Sequence, residues 1–204
     1  MSRRADLSRS SLSRLGRGSS LSYAARVIGF LRFVGLMNAA VWFGAAVFFT
    51  FGIGAAAFSP EMKDLLGSKN APYFSGAIAQ ILIARYFHLQ LGCGIIALLH
   101  LLAERAYLGR APQRLSLGLL IALVAAGLLG NFWLQPKMKR LHTIKYALNT
   151  SRQERETADS SFRTLHGISQ GVNLLMLIGL GVYLWRVANP ADPARFVSTT
   201  KFRS

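Results

Sequence analysis

Four long runs of apolar residues alternate with shorter polar segments along the chain. The runs cover about residues 33–58, 74–103, 115–134 and 162–187. A helix that crosses the hydrocarbon of a bilayer needs roughly 20 apolar residues at about 1.5 Å of rise each. Each run meets that length. The pattern therefore predicts an all-α fold, an integral membrane four-helix bundle. The punctuation agrees with it. Ser59-Pro60 closes the first run, because proline turns the preceding residue away from helix. Gly109 and Pro112 lie in the turn after the second run, Pro136 ends the third, and Asn189-Pro190 stops the fourth. Residues 137–161 are polar and of mixed charge, with few breakers, and predict an extramembrane helical loop broken near Asn149-Thr150.

These runs set the domain reading. Residues 1–22 hold eight Ser and five Arg and read as a disordered basic tail. Residues 23–189 form the four-span domain, opened by an interfacial lead-in over 23–32, and residues 190–204 form a basic C-terminal tail. A signal peptide would need a short apolar region and an early cleavage site. The first apolar run is longer than 20 residues, so a retained anchor is expected.

Charge changes the picture in one respect. The 24 Lys and Arg against 8 acids give a net charge of +16. In a soluble protein that would suggest nucleic acid. Beside apolar spans it points instead to anionic lipid headgroups, and no nucleic acid is expected. With both termini inside, the inner segments carry 14 Lys and Arg and the outer segments 9, which favours both termini in the cytoplasm of a bacterial inner membrane. The Arg- and Ser-rich start leaves an organellar membrane open. The single Cys93 excludes an intramolecular disulfide and any Cys-based metal cluster.

Polar residues inside the runs carry the candidate chemistry. Arg85 and His88 are i, i+3. Asn131 and Gln135 are i, i+4. His166, Gln170 and Asn173 follow at i, i+4 and i+7, with Ser169 one turn from His166. Each set lies on one helix face, and in hydrocarbon such a face turns inward. We expect these eight residues to build one polar pocket, with Arg85 near mid-membrane and His166 at the mouth. Arg85 has no acid at its level. It is a structural Arg held by neutral amides, a binder of an anion or lipid phosphate, or an Arg snorkelling to an interface. His88 is a hydrogen-bonded core histidine, a ligand or a proton acceptor. Bis-His haem ligation would need His88 and His166 at matched depth. Asn38, Gly44 and Gly92 are expected to serve close packing. No metal site, cofactor or catalytic motif is predicted. Gly16-x-Gly18 sits in the tail, away from any strand-to-helix turn.

Several pieces together resemble a known family. Arg85-Tyr86-Phe87-His88 with Gly92, the segment Asn131 to Met138, and Phe162…His166-Gly167-Ile168-Ser169 with Asn173 resemble segments of a family of small four-span membrane proteins. Asn38, Gly44 and Phe48-Phe49 fit its first span. That family is named after human transmembrane protein 205 and overlaps a domain of unknown function numbered 4149. The resemblance covers about residues 30–187. It implies a four-span bundle without an agreed biochemical activity. Some members carry a Glu where this chain has Gln135, so an acid-dependent activity is not expected here.

Three functions follow. The first is a non-enzymatic scaffold or accessory protein that binds lipid or a membrane complex, or forms a homodimer. The second is an oligomeric transporter or channel for a small solute or anion. The third is a haem-binding electron-transfer subunit.

Overall fold

The computed structural model describes residues 26–109 and 113–189. The expected tails 1–22 and 190–204 lie outside the described residues, as do the start of the lead-in and residues 110–112. Five helices and no strand occur among the described residues. Helix α1 is Arg26–Ala56, α2 is Pro60–Leu66, α3 is Ala71–Leu108, α4 is Arg114–Tyr146 and α5 is Arg152–Ala188. All but α2 are long and apolar enough to cross a membrane, the layout of an integral membrane protein.

Local chemistry sets the helix ends. Ser59 caps α2, its hydroxyl accepting from the Met62 N–H at 3.2 Å, with Pro60 in the first turn where its missing N–H costs nothing. Gly67 ends α2 at φ 74°, and Gly109 ends α3 in the left-handed region at φ 62°. Both turns need a residue without a Cβ. Helix α5 opens on a capping box. The Ser151 hydroxyl accepts from the Glu154 N–H, and the Glu154 carboxylate accepts from the Ser151 N–H.

Pro136 corrects an expectation. It does not end its helix, which continues to Tyr146. A π turn, Gly130–Leu134, comes immediately before it, and the Gln135 N–H bonds to the Gly130 carbonyl. Proline within an α-helix collides with the carbonyl four residues back. The wider turn at that point lets the helix absorb the ring. A second π turn, Phe48–Ile53, interrupts α1.

The four long helices pack antiparallel, each beside the next, with α5 closing back on α1. Asn38 donates to the Cys93 carbonyl at 2.9 Å, and the His100 ring nitrogen bonds to the Leu31 carbonyl at 2.8 Å, tying α1 to α3. The Phe87 ring fits against Gly130 and the His142 ring against Gly76, tying α3 to α4. Gly179 lies against Leu119 and Leu123. Trp42 meets Tyr183 edge to face at 6.2 Å. The core is built on Trp42, Ala46, Ala97, Leu120 and Leu180, while Ile81, Ile95, Leu99, Leu102 and Leu175 face outward. An apolar perimeter of this extent suits hydrocarbon surroundings.

These contacts also fix levels. Pairs Gly76–His142, Phe87–Gly130 and Gly94–Val124 run in one antiparallel register, which sets Arg85 level with Trp133. Arg85 and Glu104 are separated by about 28 Å of helix, Arg114 and Lys137 by about 34 Å, and Arg163 and Arg186 by about 34 Å. A hydrocarbon core is about 30 Å thick. Charged side chains thus gather at both ends of the apolar slab, Lys137, Arg163 and, about one turn further in, Arg85 toward one face and Glu104, Arg114 and Arg186 toward the other. On this second face Arg186 donates to Ser116 at 3.0 Å and also to Gln113. Beyond the first face, α4 and α5 continue as a hairpin clamped by Asp159, which pairs with Lys145 at 2.5 Å and Arg163 at 2.6 Å.

Candidate functional site

The apolar faces that fill the core near Trp42 and Leu180 separate toward the Arg85 boundary. A cavity of about 1010 Å³ opens there, and all four long helices contribute to its wall. Both π turns line it, through Phe49, Thr50 and Ile53 on one side and Gly130, Trp133 and Leu134 on the other. A π turn carries an extra residue, widens the helix locally and is frequent at functional sites. The α3 wall follows a helical spacing: Gln80, Ile83, Phe87 and Gln90 share one face with Tyr86 beside them.

Polar groups in the wall occupy two levels. Gln80, Gln135 and His166 lie at or beyond the Arg85 boundary. The Gln170 amide bonds to the His166 ring nitrogen at 3.1 Å, and the His166 ring stacks on Phe162 with centroids 6.0 Å apart. Thr50, Tyr86, Gln90 and Asn173 lie deeper. Asn173 donates to the Thr50 hydroxyl at 2.8 Å, which itself donates to the Ala46 carbonyl at 2.7 Å. Gln90 donates to the Tyr86 hydroxyl at 2.6 Å, and the Tyr86 ring stacks on Phe49 at 4.2 Å. Gln90 is only 2% exposed, yet its Oε1 has no partner. The Nε2 of Gln80 is also buried without one. His166 is the one ionisable group among the wall's Asp, Glu, Lys, Arg and His positions. The cavity can therefore offer hydrogen bonds and apolar contact but no fixed charge.

The structure divides the expected constellation. It brings together Gln135, His166, Ser169, Gln170 and Asn173 in the cavity wall. Ser169 spends its hydroxyl on the His166 carbonyl at 2.7 Å. Arg85 does not join them. It is exposed on the outer side of α3 and outside the cavity wall, and the expectation of Arg85 within the pocket is corrected. Nor does His88 face the cavity: it lines an outer groove between α1 and α3 with Phe33, Met37, Gly92 and Ile96. His88 and His166 thus point into different spaces, which removes the geometry of paired haem ligation. Asn131 is half-buried and stays out of the wall. It lies within the π turn, whose extra residue breaks the 3.6-residue register that paired it with Gln135. Asn38 packs as expected. Gly44 and Gly92 do not, since a Cβ at either would meet nothing within 4 Å.

Sequence reasoning missed Thr50, Gln80, Tyr86 and Gln90 as wall residues. The signal was the Gln80–Ile83–Phe87–Gln90 spacing, obscured by the more conspicuous Arg85 and His88 on other faces of the same helix. It missed His142 too, which is buried among Tyr73, Tyr146 and Phe162 in the hairpin beyond the cavity mouth.

No curated protein and no solved structure matches the chain. The family described as "Domain of unknown function (DUF4149)" matches residues 37–147, which hold most of α1, all of α3 and all of α4. Three walls of the cavity thus fall inside the matched residues, and the α5 wall follows them. The match spans more than half of the 204 residues, and the chain belongs to the DUF4149 family.

Proposed function

We propose that this chain is a non-enzymatic scaffold or accessory protein of the membrane that holds a lipid between its four helices. The observation that carries this reading is the cavity of about 1010 Å³ on which the four long helices converge. That volume is at the upper end of small-molecule sites. An apolar wall with uncharged hydrogen-bonding groups at two levels suits an amphiphile. The wall has no carboxylate to pair with His166. Outside the cavity, Arg85 and Lys137 offer counter-charge to anionic headgroups. The outward Gly44 supports docking of a second copy or of a larger membrane complex. The charge balance supports both chain ends on the cytoplasmic side of a bacterial inner membrane. The His166-Gly167-x-Ser169…Asn173 segment supports kinship with the family named after human transmembrane protein 205, and it lies outside the matched residues.

The test is a lipid inventory. Protein purified from native membranes in mild detergent is expected to retain about one tightly held lipid per chain by native mass spectrometry. Ala79→Trp, which fills the wall between Gly76 and Ile83, is expected to lose that lipid while keeping its helical circular dichroism and melting temperature. Lipid-free wild-type protein, or equal lipid in the filled variant, overturns the reading.

A further inference from the structure

We infer that the outer face of α1 and α3 is the interface of a homodimer, in which His88 of one copy hydrogen-bonds His88 of a second copy across a two-fold axis along the membrane normal. The inference deepens the docking half of the reading above. It does not depend on the lipid in the cavity, which lies on the other side of α3.

Depth is the first ground. The register of α3 against α4 places His88 about 10 Å inside the level of Lys137, and about 24 Å of helix separates it from Glu104. That is within the hydrocarbon. The side chain is exposed on the outer side of α3. An arginine can snorkel from such a site, as Arg85 can from one turn nearer the headgroups, but the short arm of an imidazole cannot. The rings of His100 and His166 have hydrogen-bond partners. Among the described residues the ring of His88 has none. A polar ring left against hydrocarbon is costly, and ionisable side chains at this depth face protein.

Steric access is the second ground. His88 borders a groove of about 500 Å³ along the seam of α1 and α3, and the rest of its lining is almost wholly apolar. Trp42 against Gly94 and Phe49 against Tyr86 set the register of the two helices. That register puts Gly44 level with Gly92, one turn deeper than His88. A Cβ at either glycine would meet nothing within 4 Å. Two bare stretches of backbone thus face outward at one level, beside a short polar side chain. Small residues of this kind let another membrane helix come close enough for that side chain to reach it. Met37 and Leu89 stand exposed beside the groove and serve as knobs.

Symmetry is the third ground, and it selects the occupant. An uncharged imidazole has one donor and one acceptor, so it is its own complement. In an isologous contact one patch meets a second copy of itself. This patch supplies the groove, the knobs and both halves of the hydrogen bond. Two copies inserted with the same topology bring their His88 rings to one depth, whereas a different protein would need a polar group of its own at that level. Arg85 does not oppose the contact, because its longer arm turns to headgroup phosphates.

The experiment uses the full chain in phosphatidylcholine vesicles, diluted with added lipid, and reads the monomer–dimer ratio by single-molecule photobleaching. His88→Leu and Gly44→Ile are each expected to raise the dimer dissociation constant at least tenfold. His88→Gln, which keeps a donor and an acceptor, is expected to stay within threefold of wild type. Both positions face outward, so helical circular dichroism and melting temperature are expected to hold in all three variants. In a Cys93→Ala background, Leu89→Cys is expected to form a covalent dimer on oxidation, and Leu175→Cys on α5 is not. Wild-type protein that stays monomeric at every dilution overturns the inference. So does a dimer indifferent to His88→Leu, or one that cross-links through Leu175→Cys instead. Equal weakening by Leu and Gln overturns the hydrogen bond. Cross-linking of Leu89→Cys to a different protein in native membranes overturns the second copy as occupant. The monomeric His88→Leu variant is expected to retain as much lipid as wild type. A lipid-free wild-type dimer would remove the lipid-holding reading and leave this one standing.

Discussion

Gly94 is a residue at which three helices meet. A Cβ there would stand 2.9 Å from the Val124 Cγ2 of α4 and 3.6 Å from the Trp42 ring of α1. Val124 is β-branched and stiff at χ1, and Trp42 is 1% exposed, so neither can step aside freely. Gly94→Ala is expected to destabilise the bundle by about 1–3 kcal/mol, the usual cost of overpacking. Thermal unfolding in detergent measures it, and adding Val124→Ala is expected to recover most of the loss. An unchanged melting temperature in the single variant would show that α1 and α4 are not pinned at this point. The sequence made Gly44 and Gly92 the packing glycines, whereas the bundle uses Gly76, Gly94, Gly130 and Gly179. A small residue in an apolar run looks the same on either face. Which glycines touch a neighbour depends on the facing side chain, here His142, Val124, Phe87 and Leu123, and no single run records that pairing.

At the level of elements, the ends of helices were largely legible and their interiors were not. Ser59-Pro60, Gly109 and the acid three residues after Ser151 each carry a local mechanism. The π turns carry none, because one extra residue in a turn leaves the composition unchanged. Pro136 was the nearest thing to a marker, and it was read as a stop when it marks a widened helix that goes on. The start of α5 provides a test of the local mechanism. Its first turn is held by the reciprocal Ser151–Glu154 bonds and by Arg155, which donates to the Leu148 carbonyl at 2.9 Å. Ser151→Ala is expected to cost about 1 kcal/mol. The cost belongs to the hairpin alone, so amide exchange is expected to accelerate over 152–156 while α5 beyond Phe162 stays protected. Uniform acceleration along α5 would mean that hairpin and bundle unfold as one unit.

For the whole molecule, four runs of apolar residues joined by polar segments were enough to predict a four-helix bundle. The depth of its polar groups was not readable. The second run is thirty residues long, a hydrocarbon core takes about twenty, and nothing within the run says which twenty are immersed. Counting from Phe74 put Arg85 at mid-membrane. The register of α3 against α4 puts it level with Trp133, about one turn inside Lys137, from where an exposed guanidinium can snorkel to water or phosphate and needs no buried acid. Its place on the outer side of α3 leaves the cavity wall uncharged, while its depth sets where the apolar slab begins. Spin labels can decide it. In a Cys93→Ala background, labels at Arg85→Cys and Lys137→Cys are expected to be accessible to a water-soluble nickel chelate in vesicles. A label at Ile95→Cys, outward and 57% exposed about 15 Å along α3 from Arg85, is expected to be accessible to oxygen and shielded from nickel. If position 85 behaves like position 95, the guanidinium lies in hydrocarbon.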